Sequence, residues 1–578
     1  MIEKTAMMYQ GRISFSVAIP LVVLATGCQA TGPEAGLPPP ATPGAGFHWG
    51  SATPESQGMC ESTTQLGCTT TLRQIWNDIS NPKHNTRRFV VIRNDQVIYD
   101  QGGTEAYPVY SASKGLLGAP TLVHALSECG LGLKDPVSKW LAHGDGARWG
   151  NLYPWTNITV EHLATHTSGT CDYGNASSVC GDENPDWQVA YNRADAGGAR
   201  FLYPDDAFTI ARAKAEQNRD PALAPGSIYE YSNVGHGLLN YVIQQACGQS
   251  LTNIFDFSIK QSGMGSPVGA ALIHTDAGRV FNQSGGRARW NGLDGAAVLR
   301  LAGRWGIWDN RNIQPVKYWH EVTKTTGNID AAAAANRGVV YQNNSRDLWT
   351  QSAGHQRLSL ETFDHGGNYS TVFLMDPLTS TIVVRQGENN GDGASYLTQN
   401  GCAPGWTGTA PTCEPGTDWS NNWNVAGDTV GSSSVGPRTK IVEPLQQAFF
   451  FPPPFCRMTT AAARTVDNTT DVYDSPSGAT TIDLAAEIQV NPREGAGSSV
   501  VDGVEFYDGT DGAAPVLIGS GTLVPNTSPP QYQLSYSAES HGAAGEVKTY
   551  FANCIARSVQ DDTKKVPSYS RPVLVRRM

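Results

Sequence analysis

A chain of 578 residues is long for one domain, and domain-size statistics predict about two to four. Only 16% of the residues are charged, against roughly 25% in an average soluble domain, while 62 Gly and 14 Trp favour a loop-rich globular protein over a disordered one. A net charge of −11 with no Lys/Arg-rich block argues against nucleic acid as a partner, and no apolar run reaches the roughly 20 residues that span a bilayer.

The chain opens as an export signal. Lys4 and Arg12 precede a mostly apolar stretch, residues 13–26, that is too short for a membrane span. It ends in Leu24-Ala25-Thr26-Gly27-Cys28, which resembles the lipobox of bacterial lipoproteins, whose cysteine is lipidated and becomes the mature N-terminus. Ala25 departs from the commoner Leu, and cleavage after Ala30 is the alternative. The expected organisation is a signal with lipobox over residues 1–28 and a linker over 29–55, whose Pro/Gly/Ala-rich part forms a flexible tether. Membrane contact is then expected only through a lipid on Cys28. There are eleven cysteines, and setting Cys28 aside leaves an even number, as in an oxidising compartment. Cys60 with Cys68, Cys171 with Cys180 and Cys402 with Cys413 suggest local loops. The pairing of Cys129, Cys247, Cys456 and Cys554 stays open.

Phe89-Val90-Val91-Ile92 and Val97-Ile98-Tyr99 flank Asn94-Asp95, a hairpin signal. Next comes Ser111-Ala112-Ser113-Lys114, an S-x-x-K that places hydroxyl and amine one helical turn apart. Ser80-Asn81-Pro82-Lys83 also fits, but Pro82 spoils the turn and no apolar stripe follows. After Lys114, Leu116, Val123 and Leu126 continue a helix to Cys129-Gly130, in which Pro120 demands a kink or local adjustment. His162 and His166 stand at i, i+4 after Glu161. With no H-E-x-x-H and no third ligand they do not form a metal site; they cap and pack a helix entering Thr167-Ser168-Gly169. Tyr231-Ser232-Asn233 follows the Pro225-Gly226 turn and precedes Leu238, Leu239, Val242, Ile243 and Ala246, one face of a helix ending at Cys247-Gly248. Tyr341-Gln342-Asn343 matches the same short pattern without that setting. His365-Gly366-Gly367 lies between strand-like segments 358–363 and 370–375, and its copy His48-Trp49-Gly50 sits in the Pro/Gly-rich entry.

These residues support nucleophilic chemistry. A serine hydroxyl needs a base within hydrogen-bond reach. Lys114 can serve only if burial or nearby charge lowers its pKa. Tyr231, brought close, would share that proton and pass it to the leaving group, and Asn233 would position substrate and Lys114. The backbone N–H of Ser111, at a helix N-terminus, can donate to a developing oxyanion. No G-x-S-x-G elbow, P-loop or dinucleotide-binding glycine fingerprint occurs in a fitting context, and the chemistry needs no cofactor and no metal.

Ser-x-x-Lys, Tyr-x-Asn and His-x-Gly in this order resemble the serine β-lactamase and penicillin-binding superfamily. Leu133-Lys134-Asp135-Pro136-Val137-Ser138-Lys139-Trp140-Leu141 and His162-Leu163-Ala164-Thr165-His166-Thr167-Ser168-Gly169 are similar to its class C-like branch of carboxylesterases, D-amino-acid peptidases and aminohexanoate-oligomer hydrolases. The resemblance covers residues 56–455. It implies an α+β fold, an antiparallel sheet flanked by helices, and makes the N–H of Asn368 the second oxyanion donor, on the substrate side with His365, Gly366 and Gly367. His365 stands where β-lactamases usually carry Lys. Losing that permanent cation favours a small-molecule or peptide acyl substrate, ester or amide, over a β-lactam. Two other readings are a penicillin-binding-like receptor that turns over poorly and an adhesive lipoprotein with a vestigial site.

Residues 371–375 and 381–385 flank Asp376-Pro377, a second hairpin. Residues 390–437 look like an inserted loop stapled by Cys402 and Cys413 that shapes the cleft mouth. Ile441, Val442, Leu445, Ala448 and Phe449 predict a closing amphipathic helix. Beyond Pro452-Pro453-Pro454, six short β-rich segments over 457–578 predict a small all-β sandwich resembling bacterial Ig-like domains. Binding to a polymer or envelope and a passive spacer both fit it.

Overall fold

The computed structural model describes residues 49–62, 68–80, 86–140, 158–169, 224–227, 229, 232–249, 251–257, 259, 275–276, 279–280, 288–308, 311–323, 341, 357–359, 361–367, 371–387, 441–460, 472–490, 499–509 and 515–578. The lipobox with Cys28, the tether, Tyr231, Asn368, the 390–437 insertion and the pairs Cys171/Cys180 and Cys402/Cys413 lie outside them, as does the side chain of Asn233.

The central sheet has six strands: β1 (Gly50–Ser51), β2 (Thr86–Arg93), β3 (Gln96–Gly102), β4 (Phe363–Gly367), β5 (Thr371–Asp376) and β6 (Thr381–Gly387). Their order is β1-β3-β2-β6-β5-β4. All pairs are antiparallel except the short β1–β3 edge, which is parallel. Both expected hairpins form. Asn94 and Asp95 adopt left-handed backbone, φ 50° and 62°, as a two-residue hairpin turn requires.

The strands read as unbroken apolar runs because both faces are covered. Val90, Ile92, Phe373, Met375, Ile382 and Val384 point into one core, with the helices. Phe89, Val91, Val372, Leu374 and Val383 point into the other. Each such buried side chain contributes roughly 1.5–3 kcal/mol. The second core is closed by α1 (Leu72–Ile79) and by Ile441, Leu445 and Phe449 of the closing segment. The first is closed by α2 (Ala119–Glu128), α3 (Val160–Ala164), α4 (Asn233–Cys247) and α5 (Gly292–Gly303). Cys129 ends α2 and Cys247 ends α4, and these two cysteines form a disulfide, so the two helices are tied at their C-terminal ends.

The chain past residue 454 builds two further sheets. One contains β7 (Phe455–Thr460), β9 (Thr481–Gln489), β13 (Gln531–Ser537) and β12 (Thr522–Val524); the other contains β8 (Val472–Asp474), β16 (Val573–Arg576), β14 (Val547–Ser558), β10 (Ser499–Asp508) and β11 (Val516–Ser520), with β15 (Lys565–Tyr569) also on β14. They share one core around the disulfide Cys456–Cys554. Where six segments were expected, the described residues form ten strands. β7 and β8 were not anticipated, and the segments at 515–524 and 568–576 are each split. Gly521 is the break in the first, for β11 pairs in one sheet and β12 in the other; a Cβ there would sit 2.9 Å from Phe506 and 3.0 Å from Tyr532. Ser570-Arg571-Pro572 is the break in the second, where proline removes a donor.

Candidate active site

The Ser111 turn is a change of helical pitch. Tyr110–Ala112 is a 3-10 turn, Lys114–Gly118 a π-turn, and α2 begins only at Ala119. Tyr110 carries a positive φ of 48°, a costly conformation for a bulky residue, and the Ser113 hydroxyl donates to its carbonyl at 2.5 Å. Ser111 is partly exposed. Lys114 is fully buried, with Nζ 3.4 Å from Ser111 Oγ. The adjustment required by Pro120 is this π-turn: in it the amide of residue i bonds the carbonyl of i−5, as Ala119 N–H does to Lys114 O. The carbonyl five residues before Pro120 belongs to Gly115, and it accepts the Tyr341 phenol at 2.8 Å. Tyr341, whose sequence setting marked it as a false match, is buried, and burial pushes its hydroxyl pKa upward.

β4 brings His365-Gly366-Gly367 alongside. The motif lies within the strand, not between two strands, because Phe363–Gly367 pairs with Thr371–Met375; of the segment 358–363, read as strand-like, only Phe363 joins a strand among the described residues. A Cβ on Gly367 would stand 2.5 Å from the Val109 carbonyl and 3.3 Å from the Ala112 nitrogen, so glycine is what lets this strand lie against the Ser111 turn. A Cβ on Gly115 would likewise meet the Cβ of His365 at 3.0 Å. His365 is buried, and its Nδ1 lies 2.8 Å from the Gly366 carbonyl.

The third element arrives with α4. Ser232 caps that helix, its hydroxyl accepting from the Gly235 amide at 2.8 Å, and its own amide donates to His166 Nδ1 at 3.1 Å. The two i, i+4 histidines therefore do different things. His162 forms the capping box of α3 with Thr159, as expected, whereas His166 bonds the Tyr231-Ser232-Asn233 segment. His236, one turn into α4, is completely buried; burial, followed by the charges of Lys114, His166 and His365, holds its pKa well below the usual histidine value. Sequence reasoning missed His236, which carries no motif signal, and the connecting role of His166. Among the described residues, His124, Cys129 and Cys247 alone form a metal-like grouping, and both cysteines are in the disulfide.

A serine one turn from a buried lysine, pressed against a His-Gly-Gly edge strand of a doubly covered antiparallel sheet, defines a serine-hydrolase architecture. The beta-lactamase family model matches residues 88–393, more than half of the chain, and the protein belongs to that family; it is a hydrolase of ester or amide bonds. No curated protein matches the chain. Similar solved structures include a hydrolase with promiscuous acyltransferase activity (17% identity, TM-score 0.40, covering 54% of this chain and 91% of its own). A D-stereospecific amidohydrolase from Streptomyces sp. is 20% identical with TM-score 0.36, over 52% and 88% of the two chains. A penicillin-binding protein homologue from Caulobacter crescentus is 12% identical with TM-score 0.39, over 55% and 90%.

Proposed function

We propose that the protein cleaves a carboxylic ester or amide through an acyl-enzyme on Ser111. Lys114 takes the Oγ proton as Oγ bonds to the carbonyl carbon, and the carbonyl oxygen becomes an oxyanion facing the Ser111 N–H and, by family analogy, the N–H of Asn368. Tyr231 hands a proton to the departing alcohol or amine, Asn233 holds substrate and Lys114, and water then splits the acyl–Ser111 bond by the reverse proton route. The observation that carries this reading is the Lys114 Nζ to Ser111 Oγ approach of 3.4 Å on a turn whose hydroxyl end is open while its amine is buried. His365 in place of a lysine supports an uncharged or weakly anionic substrate over a β-lactam, and the three disulfides among the described residues support export, with lipidation at Cys28. The direct measurement is stoichiometric fluorophosphonate labelling together with a burst of p-nitrophenol from p-nitrophenyl butyrate, both absent from Ser111→Ala. A full burst in that variant would overturn the assignment, and multiple turnovers in the native protein distinguish an enzyme from a receptor that is merely acylated.

A further inference from the structure

We infer that His166 is a positioning residue for this site: its imidazole Nδ1 fixes the peptide plane that Ser232 shares with Tyr231, and so sets the Tyr231-Ser232-Asn233 segment. The inference rests on the acyl-enzyme reading above and adds a residue to it. Three observations carry it. The acceptor at 3.1 Å is a side-chain nitrogen meeting a backbone donor, a contact that requires Nδ1 to be unprotonated and, in the neutral ring, puts the hydrogen on Nε2. The ring is held from two sides, stacked on His236 at 6.2 Å and set edge-on to Tyr229 at 5.9 Å, and the residue is buried. Its backbone is left-handed, φ 57°, which ends α3 and turns the chain so that the next residue contributes a second tie: the Thr167 carbonyl accepts the Gly226 amide at 2.8 Å. Two bonds thus tie Gly226 and Ser232 to one turn.

The acceptor role separates from mere bulk by one substitution. Asparagine offers a carboxamide oxygen near the position of Nδ1 and tolerates the left-handed backbone; alanine offers no acceptor. In the full-length protein, the burst rate on p-nitrophenyl butyrate in His166→Ala should fall by at least about tenfold with KM changed less than about twofold, since a group acting through Tyr231 and Asn233 affects the chemical step more than uniform binding. His166→Asn should return to within about threefold of the native rate. Native burst kinetics in His166→Ala, or an equal loss in both variants, would overturn the proposal. Should His166→Ala not fold, His166→Asn decides alone: a folded Asn variant slowed about tenfold or more ends the case. A native protein with no burst, or a burst surviving in Ser111→Ala, would instead sink the acyl-enzyme reading and leave the His166 bond standing as structure.

Discussion

Tyr341 and His236 show what single side chains do around the Ser111 turn. The Tyr341 phenol supplies the donor that Pro120 cannot, at the carbonyl next to Lys114. In Tyr341→Phe that buried carbonyl loses its side-chain donor, which costs about 1–3 kcal/mol; thermal unfolding should register it, and acylation should slow because the π-turn that begins at Lys114 loses its strut. An unchanged melting temperature would mean another donor takes over. His236 makes a pH prediction with a definite sign. Its folded pKa lies well below 6.5, so the folded state stays neutral where the unfolded chain takes up a proton. Stability from this group is therefore complete above about pH 6.5 and is lost as pH falls toward the folded pKa. His124 and His541 are shifted the same way by burial, so His236→Asn should reduce, not abolish, the decline in melting temperature below about pH 6.5. Parallel curves for native and variant protein would refute this. At this scale the sequence carried the approach of Ser111 and Lys114, because their helical spacing is local. It could not find His236, or the bond from Tyr341 to the Gly115 carbonyl, because a fold-made contact leaves no pattern in the chain.

Elements explain how distant motifs stay aligned. α2 follows the Ser111–Lys114 turn and α4 begins with the Tyr-Ser-Asn segment, and the Cys129–Cys247 disulfide joins their far ends. The bridge closes a separation of 118 residues, for which the loop-entropy account gives about 3–5 kcal/mol. The double variant Cys129→Ser/Cys247→Ser should lose about that much stability and lose acylation rate as the helices drift; chemical denaturation and burst kinetics measure the two effects separately. Retained rate with lost stability would show that packing alone keeps the helices in register. The apolar runs at 89–92, 371–375 and 381–385 were legible as strands, since β-branched and aromatic side chains mark strands covered on both faces. Sheet order was not legible, because β2 and β6 are paired across nearly 300 residues by contacts no local window contains. The split at Gly521 failed for a related reason: one β-rich run serves two sheets, and only the sheets' positions reveal the corner.

Across the whole molecule, the C-terminal sheets are packed onto the hydrolase region. Phe450, Phe451, Ala556 and Val566 share a cluster with Cys60 and Cys68. Arg93 donates to the Pro567 carbonyl, and Asn94 Oδ1 accepts the Tyr569 amide at 2.7 Å. Arg571 stacks 3.8 Å over Trp305, donates to the Gly303 carbonyl at 2.8 Å and pairs with Glu361 at 3.1 Å. Burial lowers the pKa of Arg93 to about 9 and of Arg571 to about 10, although Asp376 and Glu361 act against it. Both guanidiniums remain cations near neutral pH and are tied to carbonyls across the boundary. The two regions should accordingly unfold in one calorimetric transition, and Arg571→Ala, which deletes a stack, a hydrogen bond and an ion pair at once, should cost about 2–4 kcal/mol and split that transition or shift it as a whole. Two transitions in the native protein, with the hydrolase step unmoved by Arg571→Ala, would show instead that the sheets are only hung on the hydrolase region, because a cation stacked and paired across a working interface cannot be removed without both sides registering the loss.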